Sequence, residues 1–307
     1  MLSDLLRTLR AEDIAVSEGV SLRRKTHVRI GGTATVFIEP ANEQEVAIAV
    51  RMCREKGIKL HLLGGGSNLL VADEELEGAV LSLGRFDRIS RGGYRVTAGA
   101  GVTLPSLLKK TREAGLAGLE ILTGIPAQVG GAVAMNAGTR DGETFDRLVS
   151  LIVINPDGEL QILGPNEFRP GYRDGGLSGS VVLHATFELE PEDPKIIQSR
   201  FEQSLRYRND TQPVSGLTLG CVFRNPESAP AALLIDQAGC KGMRVGGIAV
   251  SAKHANYFVN EGEGTCEDFL KMMEVVRERV REHSGAELVA EVKIWGVNSE
   301  GCVEAAV

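Results

Sequence analysis

The sequence predicts an α+β protein with two domains. Its 307 residues are about twice the usual domain length of roughly 150 residues. Amphipathic helical segments alternate with short strand-like segments along the chain. Clusters of glycine lie inside apolar, strand-like sequence, whereas a flexible linker would be rich in glycine and serine throughout. We therefore expect many short strands joined by tight turns that have a specific task.

The first helix predicted from the sequence lies at the N-terminus. Four leucines recur at helical spacing within the first nine residues, but Asp4 and Arg7 lie among them. The segment therefore has the pattern of an amphipathic helix rather than of a signal peptide, and we expect a cytoplasmic protein.

A second helix leads into a glycine loop. Asn42 is its expected N-cap with Glu45 as reciprocal partner, and Gly57 ends it. The strand Ile58 to Leu63 follows and runs into the loop 64–68, Gly-Gly-Gly-Ser-Asn, which continues into an apolar strand.

No helix is expected after this loop. A Rossmann fingerprint needs a helix at its last glycine, and a Walker loop needs Gly-Lys-Ser/Thr, so both are disfavoured. Consecutive glycine amides can still form a nest for a diphosphate, with Ser67 and Asn68 as further donors. A simple tight hairpin is an equally acceptable interpretation of the loop alone.

Two further helices are predicted by their boundaries. After strands at 79–83 and 94–98, a helix begins at Pro105 and ends at Gly115. Near the C-terminus, Thr265 and Asp268 form a capping box and Gly285 ends the helix, before a strand from Leu288 to Trp295. Between them, segment 118–138 is almost entirely small, apolar or amide residues, which predicts that a flat apolar group contacts its backbone.

Composition excludes several classes of function. Lys and Arg total 34 and Asp and Glu 41, a net charge of −7, which argues against a general nucleic-acid or acidic membrane surface. No apolar run approaches the roughly 18 residues of a membrane span. The five cysteines include no CxxC pair and the five histidines no HExxH motif, so we expect neither a disulfide framework nor a metal site.

Several segments together resemble the UDP-N-acetylenolpyruvoylglucosamine reductase family, whose members use FAD to make UDP-N-acetylmuramate for bacterial cell walls. The resemblance covers about residues 20 to 297, and the order of its motifs makes it specific. These motifs are Thr26 to Gly32, Leu63 to Leu70, Gly124 to Gly138, Gly171 to Asp174, Thr211 to Pro213, Gly220 to Pro226, Leu234 to Gly242 with Gly246 and Gly247, His254 to Asn256, and Leu288 to Val292.

The resemblance implies a fold and its domains. We expect an N-terminal helical segment over 1–20, an FAD-binding domain of the vanillyl-alcohol oxidase type with two α+β subdomains over 21–192, and an α+β substrate-binding domain over 193–307. The Pro-rich, acidic sequence at 191–194 agrees with the boundary. The family also implies non-covalent FAD held by Arg29, Gly31, Gly64, Gly65, Gly66, Ser67, Asn68, Gly124, Ile125, Pro126, Gly130, Gly131, Asn136, Ala137 and Gly138.

Three residues match the catalytic positions of the family. Arg173 matches the cation beside the substrate carboxylate, although a Tyr-Arg-Asp tripeptide by itself is typical of a surface turn. Glu291 matches the catalytic glutamate, and its pKa should rise if it is buried. The alternation of residues 288–293 also allows an edge-strand glutamate exposed to solvent, and Glu287 is a competing candidate.

Cys221 occupies the position where many members of the family have a serine proton donor. A thiol is a stronger acid than a hydroxyl, so it can protonate a carbanion, with an ordinary pKa of about 8.5. Burial would raise that pKa and a nearby guanidinium would lower it, which leaves its direction open. Simple packing is the alternative role for Cys221, and it is the role we expect for Cys53, Cys240 and Cys266.

The resemblance also implies the partners. Tyr172, Arg224 and Asn225 are expected to contact the UDP-sugar substrate, the last two at its diphosphate. NADPH is the expected hydride donor, in alternation with substrate at one flavin face, and we expect a monomer. This chain resembles the shorter members, which lack an inserted loop with a tyrosine that covers the substrate, so the residue that closes the pocket is left open.

Two other functions are kept as alternatives. One is an FAD-linked oxidase of the same fold group, which often attaches flavin through His or Cys, and loop 64–68 contains neither. The other is a non-catalytic flavin or nucleotide-sugar binding module, which would not need Arg173, Cys221 and Glu291 together.

Overall fold

The computed structural model describes residues 2–297; residues 298–307, which include Cys302 and the end of the predicted C-terminal domain, lie outside the described residues. Within this range, none of the helices has the length and apolarity that a bilayer crossing requires. The helices are α1 Leu2–Ala11, α2 Glu43–Glu55, α3 Leu104–Glu113, α4 Val129–Ala134, α5 Pro194–Thr211, α6 Ala231–Gln237 and α7 Cys266–Ser284. The strands are β1 Val16–Ser21, β2 Thr33–Ile38, β3 Leu60–Leu63, β4 Leu69–Val71, β5 Glu75–Ser82, β6 Ile89–Gly92, β7 Arg95–Gly99, β8 Leu116–Ala117, β9 Gly138–Thr139, β10 Gly142–Glu143, β11 Leu148–Ile154, β12 Leu160–Leu163, β13 Val181–Glu188, β14 Glu190–Pro191, β15 Leu217–Cys221, β16 Arg244–Val245, β17 Ile248–Val250, β18 Tyr257–Asn260 and β19 Lys293–Trp295.

The first sheet has the order β1-β2-β5-β3, with β1 antiparallel to β2 and with β2 and β3 parallel to β5. Helices α1 and α2 bury Leu5, Leu9 and Val46 against it. The N-terminus differs here from the predicted helical segment over 1–20. Its first half is helix α1, but residues 16–21 are strand β1, because their backbone extends the sheet at the edge of β2.

The predicted helix ends are confirmed by their caps. Asn42 accepts a hydrogen bond from the backbone N–H of Glu45 at 3.0 Å, and Glu45 accepts one from Ala41 at 2.7 Å. In α7, Thr265 and Asp268 form the reciprocal capping box, and Gly285 is left-handed with φ 71°. Short side-chain hydrogen bonds at these termini replace backbone bonds that the helix cannot make.

The glycine loop follows the predicted course. It leads from β3 directly into β4 with no helix between them. Strand β4 then pairs in parallel with β19, which places the loop beside the end of the chain's described part.

The second sheet is antiparallel, with the order β12-β11-β13-β7-β6. Leu107 of α3 and Val133 of α4 pack with Leu151 and Phe187 of the sheet in one buried cluster. The division of the FAD-binding domain into two α+β subdomains stays a prediction.

The third sheet, β15-β18-β17-β16, packs against α6 and α7 around Phe223, Phe258 and Phe269. Val28 and Ile30 from the first half of the chain are buried in the same cluster. Helix α5, which follows the predicted boundary at 192/193, contacts α3, β8 and the turn at Glu120–Leu122 instead. Helix α5 thus lies after the predicted boundary at 192/193 in sequence but packs on residues that precede it, and the position of the domain boundary stays a prediction.

The last strand is shorter than predicted. Only Lys293–Trp295 belong to β19, whereas the strand was expected from Leu288. The preceding residues pair with a different segment: Val289 accepts a hydrogen bond from the Arg224 backbone N–H at 2.8 Å, and Glu291 donates one to Val222 at 2.8 Å. One extended segment thus contacts the third sheet first and the glycine-loop strand afterwards.

A substitution at Gly32 tests how closely the start of β2 approaches the loop between β4 and β5. A Cβ at Gly32 would overlap the carbonyl oxygen of Glu74. We expect Gly32→Ala to lower the free energy of unfolding by about 3 kcal/mol. Gly92→Ala is the matched control, since a Cβ at Gly92 meets nothing within 4 Å. Urea denaturation measures both variants, and equal stability of the two would contradict this packing.

Candidate active site

A large cavity of about 1250 Å³ lies where the two glycine segments meet the third sheet. It brings together most of the predicted site residues, although they come from distant parts of the sequence. Those that line it are Gly64, Gly65, Gly66, Ser67, Asn68, Ile125, Pro126, Gly130, Gly131, Ala137, Gly138, Tyr172, Arg173, Cys221, Asn225 and Glu291.

The glycine loop forms one wall of the cavity. Within the described chain, the backbone N–H groups of Gly64, Gly65, Gly66 and Ser67 donate to no protein acceptor. Gly66 has φ +65°, and a Cβ there would collide with the carbonyl oxygen of Lys25. Unpaired amides along a left-handed turn are the geometry of an anion-binding nest, so the structure favours the nest over a simple hairpin.

Helix α4 adjoins the glycine loop in the cavity wall. A Cβ added at Gly131 would meet nothing within 4 Å, and a Cβ at Gly64 would have Gly131 as its nearest neighbour at 3.8 Å. Because both surfaces are bare backbone, a flat ring system can approach them closely. The unpaired amides and the open backbone fit the diphosphate and the isoalloxazine of FAD, respectively.

Arg173 lies in a strained turn. Gly171 and Asp174 exchange backbone hydrogen bonds at 2.8 and 3.2 Å, and Arg173 between them has φ 57°. Left-handed backbone is uncommon for arginine and persists only where neighbours hold it. The buried amide of Asn136 is one such neighbour, since it donates to the Gly171 carbonyl at 3.2 Å. Asn136 was predicted to bind FAD, but the structure shows it holding this turn outside the cavity lining.

Arg173 and Glu291 form an ion pair inside the cavity. Arg173 Nε donates to Glu291 Oε1 at 2.9 Å, and the side chains are 21% and 11% exposed. The Tyr172 hydroxyl lies 3.5 Å from the second carboxylate oxygen. Burial raises the pKa of Glu291, and the charge of Arg173 opposes that rise. The solvent-exposed alternative for Glu291 is therefore not what the structure contains.

Cys221 faces the same cavity at the end of β15. Burial raises the pKa of its thiol to about 12, the charge of Glu291 adds to this, and the charges of Arg173 and Arg208 oppose it. The direction that the sequence left open is therefore upward. A thiol with this pKa is protonated at neutral pH and can act as a proton donor.

Asn68 connects the glycine loop to the segment with Glu291. Its side-chain amide donates to the Glu291 carbonyl at 3.2 Å, and its own carbonyl accepts from the Lys293 N–H at 2.9 Å. Asn68 lines the cavity as predicted, and it also fixes Glu291 relative to the loop.

Asn225 also has a structural hydrogen bond in addition to its place in the lining. Its side-chain oxygen accepts from the Ala231 N–H at the start of α6, at 3.0 Å.

Four other predicted residues lie outside the cavity lining. Arg29 is exposed and donates to the Arg24 carbonyl at 3.1 Å, because its neighbours Val28 and Ile30 are buried in the third-sheet core. Gly31 packs near the Val71 side chain, and Gly124 packs near Arg208. Arg224 is held by its backbone hydrogen bond to Val289, and its buried Nε has no partner among residues 2–297.

The cavity lining also includes polar residues that were not predicted as site residues, among them Arg208, Gln212, His254, Tyr257 and Lys293. Gln212 and His254 belong to motifs quoted above, and Lys293 follows Glu291 by two positions, which puts both on one face of an extended segment. Arg208 and Tyr257 carried no separate signal. Arg208 Nε is buried without a partner in the part of the chain that the structure describes.

Two family models match the chain. The model described as "UDP-N-acetylenolpyruvoylglucosamine reductase, C-terminal domain" matches residues 212–295, and the one described as "FAD binding domain" matches residues 34–164. Among named relatives, the UDP-N-acetylenolpyruvoylglucosamine reductase of Geobacter metallireducens is 40% identical, with 96% of this chain and 99% of that protein aligned. Reductase 2 of Symbiobacterium thermophilum is 39% identical, with 97% of both chains aligned.

Solved structures agree with the sequence comparisons. A UDP-N-acetylenolpyruvylglucosamine reductase from Thermus caldophilus has a TM-score of 0.80 and 36% identity, covering 92% of this chain and 100% of that one. A berberine bridge enzyme variant has a TM-score of 0.51 at 18% identity, covering 63% and 44% of the two chains, and shows the fold alone. The predicted fold class, an FAD-binding domain of the vanillyl-alcohol oxidase type with a C-terminal α+β domain, is confirmed. The identities over nearly the full length show that the chain belongs to the UDP-N-acetylenolpyruvoylglucosamine reductase family.

Proposed function

We propose that this protein reduces the enolpyruvyl ether of UDP-N-acetylglucosamine enolpyruvate to UDP-N-acetylmuramate, a step of peptidoglycan synthesis, with NADPH as hydride donor and non-covalent FAD. The observation that carries the proposal is that Arg173, Glu291 and Cys221 line one cavity together with the unpaired amides of the glycine loop. Both nucleotide reactants are strongly charged, which supports a cytoplasmic reaction.

FAD fits the two glycine walls. The amides of Gly64 to Ser67 would hold its diphosphate, and the open backbone of Gly131 would face its ring system. Bound there, FAD would supply the hydride chemistry that links NADPH to the terminal carbon of the enolpyruvyl group.

Arg173 and Glu291 would act on the charge that follows hydride addition. Negative charge then builds on the carbon beside the substrate carboxylate and spreads into that carboxylate. Arg173 uses its Nε to hold Glu291 at 2.9 Å, which leaves other guanidinium N–H groups for the substrate. A fixed cation in a partly buried site stabilises such charge strongly. With its pKa raised by burial, Glu291 in its protonated form would donate a further hydrogen bond.

Cys221 would supply the proton. Its thiol lies in the same cavity, and at neutral pH it carries its proton because burial raises the pKa to about 12. Transfer of that proton to the carbanion completes the reduction of the double bond.

The direct test is a spectrum and an assay. We expect purified protein to be yellow or to become so with added FAD, and to oxidise NADPH in the presence of UDP-N-acetylglucosamine enolpyruvate. Oxygen should replace that substrate poorly, in contrast to an oxidase. A colourless protein that cannot be reconstituted with FAD would overturn the proposal.

Gly65→Val tests the FAD wall. A Cβ at Gly65 makes only ordinary contacts, the nearest at 3.5 Å to Gln128, so the fold should tolerate the change while the added methyl groups enter the cavity. We expect loss of flavin absorbance on gel filtration with little change in melting temperature. Gly92→Val, at an open surface position, is the matched control. Full retention of FAD by Gly65→Val would count against the nest.

Arg173→Ala and Glu291→Gln test charge stabilisation. Each should slow reoxidation of the reduced enzyme by substrate by about a hundredfold, while reduction of the enzyme by NADPH changes much less. The reason is that both residues are proposed to stabilise negative charge that forms only on the substrate. Stopped-flow absorbance measures the two half-reactions separately. Equal losses in both would mean that the residues shape the common pocket instead.

Cys221 predicts the pH dependence of the substrate half-reaction. The donor must be protonated, and a pKa of about 12 keeps it protonated, so the rate should stay level from pH 7 to pH 10 and decline only at higher pH. Cys221→Ser should retain activity, and Cys221→Ala should lose about a hundredfold. Cys240→Ala, a buried thiol outside the cavity lining, is the control. Loss of activity centred near pH 8.5 would contradict the raised pKa.

A further inference from the structure

Tyr257 lies directly opposite Cys221 in the pairing of β15 with β18. Its side chain is 7% exposed and lines the same cavity. The two residues are cross-strand neighbours that line one cavity, and the Tyr257 hydroxyl lowers the pKa of the Cys221 thiol, against the larger effect of burial. The His254 ring packs edge-on against the Tyr257 ring, with centroids 4.7 Å apart, and helps to hold that ring in the cavity wall.

The Tyr257 hydroxyl has a second partner in Gln212. It donates to Gln212 Oε1 at 2.9 Å. A hydroxyl carries one proton, so while that proton points to Gln212, Tyr257 can only accept a hydrogen bond from the Cys221 thiol. If the sulfur is a thiolate, the same proton can turn from Gln212 to the sulfur.

Several charged and titratable groups face this trio. Glu291 and Arg173 act on Cys221 from the ion pair, and Arg208 of α5 acts on both Cys221 and Tyr257. Tyr172 also interacts with Cys221. Among these groups, Tyr257 is the cross-strand neighbour of Cys221, and its hydroxyl proton has an acceptor in Gln212.

We propose that Tyr257 is a positioning residue for Cys221, whose hydroxyl proton is held by Gln212 while the thiol is intact and turns to the sulfur when the thiol has lost its proton. As a statement about catalysis this rests on the proposed function. The S–H bond breaks, its proton goes to the substrate carbon, and the electron pair stays on sulfur. The Tyr257 proton stays covalently on oxygen and hydrogen-bonds the thiolate, and water then returns a proton to sulfur.

The first test needs no turnover. The rate at which iodoacetamide alkylates Cys221 at pH 9 in the FAD-loaded protein, followed by mass spectrometry of its peptide, is proportional to the thiolate fraction. Tyr257→Phe removes the donor to the thiolate and should lower this rate about tenfold. Gln212→Leu removes the competing acceptor and should raise the rate several-fold.

If the two substitutions only altered the access of iodoacetamide to Cys221, the alkylation rate would change in the same direction in both variants. Opposite changes in the rate therefore indicate the hydrogen-bond network. Tyr207→Phe is the matched control, because Tyr207 also lines the cavity but its ring contacts Arg140, and its alkylation rate should match the parent. The proposal would be overturned if the alkylation rate changed in the same direction in the two variants, or by less than twofold in both.

The second test asks whether the network serves the reaction. Tyr257→Phe should slow the substrate half-reaction about tenfold in the parent and leave it unchanged in Cys221→Ala, since it acts through the sulfur. Equal losses in both backgrounds would make Tyr257 a packing residue. If the two variants changed the alkylation rate in opposite directions but the protein did not reduce the enolpyruvyl ether, the hydrogen-bond network would stand and the proposed function would be wrong.

Discussion

The buried pair of Arg173 and Glu291 imposes the main constraint on this protein. A carboxylate that is 11% exposed is costly unless a cation and hydrogen bonds accompany it. Arg173 reaches this carboxylate from a left-handed turn, which Asn136 holds. Glu291 meets Arg173 because the segment of Glu291 pairs with residues 222–224 and then with β4. Three distant parts of the chain must therefore assemble before either charge is stable.

The same assembly shapes the rest of the cavity. Because residues 289–291 pair beside Val222, Cys221 and Glu291 face one space, and because Lys293 pairs beside Leu69, the glycine loop borders it. Asn68 fixes the loop to the Glu291 backbone. A ligand held by the loop is thus adjacent to the charged pair.

Local features were predictable from the sequence, and long-range ones were not. The caps of α2 and α7 depend on residues three positions apart, and the course of the glycine loop on its immediate neighbours, so the sequence contains them. The alternation of residues 288–293 was also correct, but on the face opposite the core only Val289 is exposed to solvent, whereas Glu291 and Lys293 line the cavity. Periodicity identifies a face; only the tertiary fold determines what lies against it. The segment around Arg29 is a second example, since Val28 and Ile30 on either side of it are buried in the third-sheet core, which the motif alone did not predict.

Low solvent access then explains why a thiol suits this position. Burial raises the pKa of both Glu291 and Cys221, because a partly buried cavity penalises every negative charge. The charge of Glu291 adds to this for the thiol, so ionisation of Cys221 is opposed by its surroundings and its proton is retained at neutral pH. The nearby guanidinium groups oppose the shift and stabilise negative charge that appears during reaction. The cavity thus favours a protonated sulfur at rest and still contains the cations and the Tyr257 hydroxyl that a transient thiolate requires.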